Sequence, residues 1–421
     1  MTFAHAQERE TMAPKQLRLG VALDGAGWHP AAWREPNSRP AELFGPGYWI
    51  DLVATAERGL LDFVSIEDTL RIPAAPHEPS DDAVDRVRAR IDANLIAARV
   101  APVTRHIGLI PTVTVTHTEP FHVSKSIATL DYTSRGRAGW QVRVSSSAEE
   151  AAHFGRREVH ELTAADIAEA VASGIFPSQV HDLFAEAAEA AEAADAVEVA
   201  RRLWDSWEDD AEIRDVAARR FIDRDKLHYI DFEGRFFSVR GPSITPRPPQ
   251  GQPVVAALAH GPLIYEFAAR SADLAFVTPS REAGPGPILK QVAAAAARVD
   301  RAGESLRVYA DIVVFLDTDE ATGPQRLARL NELAGAEFVS DAGVFAGSAE
   351  ELAELLAEWS EQGIDGFRLR PGVAVDDLAA IADWLVPTLQ RRGVFRTGYP
   401  DGSLRALLGL PTDVPNRYAT A

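Results

Sequence analysis

Between Leu130 and Ser147 the chain reads LDYTSRGRAGWQVRVSSS, and this stretch constrains the fold more than any other. A helix end at Ser126 to Asp131 meets a Ser/Arg/Gly turn, Ser134 to Arg137. A short strand, Ala138 to Val144, then runs into three serines. Helix, tight turn, strand and polar landing make one step of an alternating α/β wheel. In a barrel of such steps, ligand-binding groups sit where strands end and loops begin. Gln141 and Ser145 to Ser147 are therefore expected at the site-bearing rim, with Arg135 and Arg137 at the opposite, structural rim.

The same rhythm runs through the chain. Strands are expected at 17–23, 61–66, 107–115, 138–144, 253–258, 273–277, 306–315 and 364–369. Helices between them are expected at 48–58, 83–100, a segment opening at Pro120, 181–207, 262–271, 288–301, 320–334, 349–362 and 375–392. Eight strands make a closed (β/α)8 barrel the economical topology. Residues 153–180 and 209–252 break the rhythm and read as insertions in one domain spanning residues 1–421. A length of 421 residues would ordinarily suggest two or three domains, but barrels of this kind run from about 250 to past 400 residues.

Composition closes off several functions. A net charge of −19 disfavours nucleic acid and anionic membranes as partners, since both need basic patches. No cysteine occurs, which excludes disulfides, thiolate metal sites and cysteine nucleophiles. The eleven histidines form no HxH or HExxH pair, so no metal is expected. Neither a GxxxxGK[ST] phosphate loop nor a GxSxG elbow is present. With no apolar run of about 18 residues and no signal-peptide core, a cytoplasmic location is expected. Such a chain suits an enzyme whose cofactor carries the hard chemistry.

Candidate site residues come from the strand ends. The loop after the first strand carries Trp28, His29, Trp33 and Arg34, and two loop tryptophans suit a pocket wall. Glu67 and Asp68 follow the second strand, where Asp68 reads either as a ligand group or as a helix cap. His29 and His117 fall in loops at the expected mouth and are the candidate acid/base residues, against the alternative of hydrogen-bonded wall histidines.

The Leu130–Ser147 stretch resembles the corresponding segment of the bacterial-luciferase-like flavin monooxygenases, in the branch holding the nitrilotriacetate and dibenzothiophene-sulfone monooxygenases. Blocks in the same order agree: His29 to Arg34, Asp62 to Asp68, Ile107 to Leu109 with Thr112 to Thr116, Leu203 to Asp209, Gly234 to Pro242, and Leu389 to Thr397. The resemblance covers roughly Leu17 to Leu410. It implies reduced flavin mononucleotide (FMN) lying across the barrel mouth, supplied by a separate reductase, with O2 and a small organic substrate, and a homodimer. It also implies Asp68, Thr112, Gln141 and Ser145 around the flavin ring, with Gln141 in place of the usual asparagine. The phosphate end departs from the family. Phe184-Ala185 stands where relatives carry Arg-Tyr, and Ala259, Gly261 and Ile264 fall at the first Gly, the Ser and the last Gly of their phosphate loop. His260, Arg156, Arg157 or helix-start N–H groups near Pro262 are the possible replacements. Weak discrimination between FMN and riboflavin follows as an expectation. Two alternatives stay open at this point: a deazaflavin-dependent oxidoreductase, and a flavin- or ligand-binding protein without turnover.

Overall fold

The computed structural model describes residues 15–73, 83–145, 147–156, 177–299 and 305–419, with backbone alone for 177–189. Eight parallel strands close on themselves: β1 (Leu19–Leu23), β2 (Phe63–Ile66), β3 (Gly108–Thr114), β4 (Gly139–Arg143), β5 (Val254–Leu258), β6 (Leu274–Val277), β7 (Arg307–Leu316) and β8 (Gly366–Pro371). Each pairs with the next in sequence, and β8 pairs back onto β1 through Leu19↔Phe367. The barrel is therefore the (β/α)8 architecture expected from the strand rhythm. Gly139 on β4 lies opposite Val254 on β5, so the wall stays closed across the long interval of sequence between them.

Strand alternation sorts side chains into two shells. Leu19, Val21, Phe367, Leu369, Trp140 and Val142 face outward and bury against the helices. The lumen-facing set at the lower, N-terminal end is Phe63, Ile110, Val254, Leu274, Phe276 and Tyr309. Leu404, at the start of a short helix Leu404–Leu407 that the periodicity does not reveal, and its C-cap Leu408 plug this end. Two glycines make room for the rings. A Cβ at Gly20 would lie 2.3 Å from the Phe63 ring, and one at Gly366 2.4 Å from that of Tyr309. Full burial of each such apolar side chain stabilises by roughly 1.5–3 kcal/mol, which makes the lower lumen a packed core and no channel.

Three expectations need correction. The helix expected over 83–100 spans only Ala93–Val100. Its N-cap Asp92 accepts from Leu95 N–H, and Asp68 accepts from Ala93 N–H, so the helix starts there. Residues 83–92 instead run over the barrel mouth as irregular chain, with Arg90 paired to Asp24 and Val84 91% exposed. The apolar spacing at Val84, Val87 and Ile91 is thus not a helix face, and it lends no support to a dimer. A ninth strand, Gly343–Gly347, which the sequence reading missed, pairs with Ile312 to Leu316 of β7. It takes the edge of β7 that β6 leaves free beyond Ala310. The last helix, expected to be continuous over 375–392, carries a π-helical turn at Ile381–Leu385 between Ala374–Ala380 and Val386–Arg391.

Candidate active site

Above Phe276 the lumen changes character. Asp311 on β7 lies between Arg368 and Arg370 of β8, all three essentially excluded from solvent. Arg368 donates to both Asp311 oxygens at 2.8 and 2.5 Å. Its remaining amino group reaches Ser65 Oγ (3.1 Å), Glu67 Oε1 (3.1 Å) and Gln141 Oε1 (2.5 Å). Gln141 in turn donates to Glu67 Oε2 at 3.2 Å. Arg370 donates through Nε to Asp311 at 2.8 Å and through Nη1 to Asp341 at 2.7 Å. Burial works against the Arg370 charge, but Asp311 and Asp341 outweigh it and raise its pKa. The two guanidinium planes also lie over rings, Arg368 at 4.0 Å from the Phe276 centroid and Arg370 at 4.3 Å from that of Trp28. Buried charges of this kind persist only when fully paired and hydrogen-bonded, and here each partner holds the other in one geometry.

Arg370 is the link to a cavity of about 810 Å³ at the upper rim. The loop 24–33 after β1, the segment 85–90 and the loop 334–341 before the ninth strand line it, and Trp28 and Asp341 belong both to its wall and to the Arg370 contacts. A second cluster ties the rim together. Glu150, with no side-chain exposure, accepts from Arg143 through both oxygens at 3.0 Å, from Thr69 Oγ at 2.8 Å and from Leu70 N–H at 3.3 Å. Burial opposes the Glu150 charge, yet Arg143 overcomes it and holds the carboxyl down at about 2.

The expected site residues divide into two sets. Thr112 and Gln141 face each other in register on β3 and β4 within the polar layer. The Thr112 hydroxyl is buried and has no hydrogen-bond partner among the described residues. His29 and Trp33 line the cavity. The His29 ring accepts Ala31 N–H at Nδ1 (3.1 Å), so Nε2 carries the proton and donates to Asn331 Oδ1 (3.0 Å). Burial lowers its pKa, and Phe315 and Phe338 flank it. Both nitrogens are committed to a neutral, wall-forming ring.

His117 lies apart, buried and stacked on Phe154 at 5.4 Å. Asp68 accepts Thr69 N–H (2.7 Å) and Ala93 N–H (2.9 Å), the geometry of an anchor for the start of a helix. Ser145 engages Thr116 and Ser147, and Ser147 caps the helix Ala148–Phe154. His260 is half-exposed above β5, within 3.1 Å of Thr278 Oγ and 3.7 Å of Asp341; burial lowers its pKa. Gly261 is the N-cap of the helix Pro262–Ser271, and a Cβ there would meet nothing within 4 Å. Arg156 pairs with Glu119 and the His117 carbonyl. Ser146 and Arg157, and the side chains of Phe184 and Ala185, lie outside the described residues, as does most of the 153–180 insertion.

The residues that sequence reasoning missed are Asp311, Arg368 and Arg370. Their signal is present in Phe367-Arg368-Leu369-Arg370, charged residues at period two inside a strand whose other face is apolar. In an open sheet that pattern means a solvated face; inside a closed barrel the same face is the lumen.

A family model described as "Luciferase-like monooxygenase" matches residues 26–366. N-acetyl-S-(2-succino)cysteine monooxygenase of Bacillus subtilis is 30% identical, covering 97% of this chain and all of that protein. Nitrilotriacetate monooxygenase component A of Aminobacter aminovorans is 31% identical over 94% of this chain and 97% of its own length. Among solved structures, a long-chain alkane monooxygenase superposes with a TM-score of 0.79 at 22% identity, covering 94% of this chain and 96% of the other. A riboflavin lyase superposes at 0.76 and 23%, covering 94% of this chain and 93% of the other.

Proposed function

The chain belongs to the luciferase-like monooxygenase family, and from that premise we propose that it is the oxygenating component of a two-component system that takes reduced flavin from a separate reductase and oxygenates a small organic substrate. The observation that carries this reading is end-to-end similarity to monooxygenases of about the same length, joined to a cavity at the rim where such barrels work.

The residues present suit a flavin ring. Thr112 offers a buried hydroxyl without a partner among the described residues, and an amide-rich heterocycle has the N–H and carbonyl groups to satisfy it. Thr112, Gln141 and Glu67 would hold the ring, with Arg368 fixing the Gln141 amide so that its orientation is set before any ligand arrives. Reduced flavin supplies two electrons and the capacity to activate O2. The protein's part is to bind, to orient and to exclude water. Trp28 and Phe338 wall the cavity, and the Arg370–Asp341 pair anchors its floor to the barrel. A homodimer belongs to this reading and is checked by light scattering at micromolar protein.

Purified protein supplied with a flavin reductase, NAD(P)H and O2 should incorporate one atom of ¹⁸O₂ into an organic product in a substrate screen. NADH oxidation that never yields more than uncoupled reduction of oxygen, across acids, sulfones, thioethers and alkanes, would overturn the reading. For the cofactor, Gly261 presents no side-chain donor, and the neighbouring His260 is already held by Thr278. Reduced FMN and reduced riboflavin should therefore bind within about a hundredfold of each other, or about 2.7 kcal/mol. A larger preference for the phosphorylated form would refute weak discrimination.

A further inference from the structure

We infer that the 810 Å³ cavity selects a neutral, flat aromatic molecule as the substrate, and that it rejects the polycarboxylates and the organic cations. The inference rests on the oxygenase reading only for the word substrate; the binding preference follows from the cavity walls themselves.

Both cations that line the cavity are already spent on carboxylates of its own wall. Four carboxylates line it, Asp24, Asp85, Glu337 and Asp341, against two guanidinium groups, Arg86 and Arg90. Arg90 grips Asp24 through two nitrogens, with Nε to Oδ1 at 2.9 Å. Arg86 reaches Asp85 at 3.1 Å. Behind the wall, Arg370 is divided between Asp341 and Asp311. An incoming carboxylate would have to displace a protein carboxylate from its arginine, and it would enter a wall with an excess of negative charge. Capture of an anion is therefore uphill, because among the described lining residues no cation is held in reserve for it.

The polar handles of the wall are turned away as well. Trp28 donates its indole N–H to Ala22 O at 3.3 Å, and Trp33 donates its own to Asp85 O at 2.9 Å. Both His29 nitrogens are committed to Asn331 and Ala31. Beside those charges, ring and hydrocarbon from Trp28, Trp33, Phe338, Val87 and Val339 face the space. Aromatic faces of this kind favour offset or edge-on contact with another flat ring. The Trp28 face is a poor seat for a cation, because it already carries the Arg370 guanidinium at 4.3 Å, which draws on the same π density. Negative wall charge would otherwise favour cations, and this occupied ring is what separates the two cases.

Equilibrium dialysis of the full-length protein tests the assignment with three probes: dibenzothiophene sulfone as neutral tricycle, nitrilotriacetate as polyanion, and N-methylacridinium as tricyclic cation. The neutral tricycle should be retained with a Kd at least tenfold below either charged probe, and added FMN should leave that Kd unchanged. Val339→Arg places a cation on the cavity lip at a residue 85% exposed, where folding is not at stake. It should tighten nitrilotriacetate at least fivefold. Equal or tighter binding of either charged probe overturns the inference, as does no retention of the neutral tricycle up to its solubility limit. Displacement of the tricycle by FMN also overturns it, since the cavity would then be the flavin seat. Retention of the tricycle with no oxygenation of any compound in the reductase-coupled screen would sink the oxygenase reading and leave the cavity's preference standing.

Discussion

Arg137 at the lower rim and the Arg368–Arg370 pair at the upper rim are equally hidden from water, yet they are held by opposite means. Arg137 donates to five acceptors, all neutral: the carbonyls of Ser134, Ile107, Ala101 and Thr104, and the Thr104 hydroxyl. Burial lowers its pKa, and the guanidinium acts as a cross-link between the start of β4 and the chain ends around Ala101 to Ile107. Arg368 and Arg370 instead meet carboxylates, an amide and two aromatic faces. The lumen between the two rims grades from apolar at Phe63, Leu274 and Tyr309 to ionic at Asp311. A buried arginine alone therefore says little about function. Its acceptors do: backbone carbonyls mark mortar, whereas mutually dependent charges beside a cavity mark a preorganised site.

The largest effect expected from this contrast is at the upper rim. Asp311→Ala leaves two guanidinium groups sharing a pocket without their common carboxylate, and removing one partner of a buried ion cluster costs about 3–5 kcal/mol. Urea denaturation should show this loss. Asp311→Ala within 1 kcal/mol of the parent would mean that Glu67 and Asp341 suffice, and the cluster would not be a unit. At the lower rim, Arg137→Lys should cost about 2–4 kcal/mol, nearly as much as Arg137→Met, because an ammonium cannot span five fork-placed acceptors. Turnover per folded molecule should stay unchanged in both. A lysine that restored most of the stability would show that charge, and not the fork, is what this rim needs.

Glu150 sharpens the contrast through pH. Its folded-state pKa of about 2 lies below the ordinary 4.5, so its stabilisation is fully present above pH 4.5 and is lost as pH falls toward 2. The shift amounts to at most about 3 kcal/mol. Glu150→Gln should flatten the fall in Tm between pH 5 and pH 3; an unaltered slope would mean that other carboxylates govern it. The smallest effect is expected at Asp68. Losing the acceptor of Thr69 and Ala93 N–H should cost about 1–2 kcal/mol, as for a helix cap. Flavin affinity of the folded Asp68→Ala protein then separates anchor from ligand: a tenfold loss of affinity without a change in Tm would return Asp68 to the flavin.

The strand rhythm was readable because a barrel strand must keep one apolar face against its helix, and Leu19, Val21, Phe367 and Leu369 keep that face in sequence. The segment 83–92 was misread because Val84, Val87 and Ile91 fall at helical spacing by chance, while the capping carboxylates of Asp92 and Asp68 decide where the helix begins. Thr112 and Gln141 were found at their positions through resemblance, and both stand in the polar layer of the lumen. His29 was named as an acid/base candidate from its place in a loop, but its two hydrogen bonds come from Ala31 and Asn331, the latter 302 residues away. No local pattern carries that information.

By itself the sequence determined the alternation, the number of barrel strands and the rim on which each loop emerges, since these depend on periodicity and on chain direction, which are local. Closure decided the rest. Joining β8 to β1 turned the inner edge of Arg368 and Arg370 from a face that could be solvated into one that had to be neutralised. Asp311 on β7 and Glu67 just past β2 supply the negative charge, and Gln141 on β4 adds an amide acceptor. A charge can be buried only where partners from distant parts of the chain converge on it, and such convergence exists only in three dimensions.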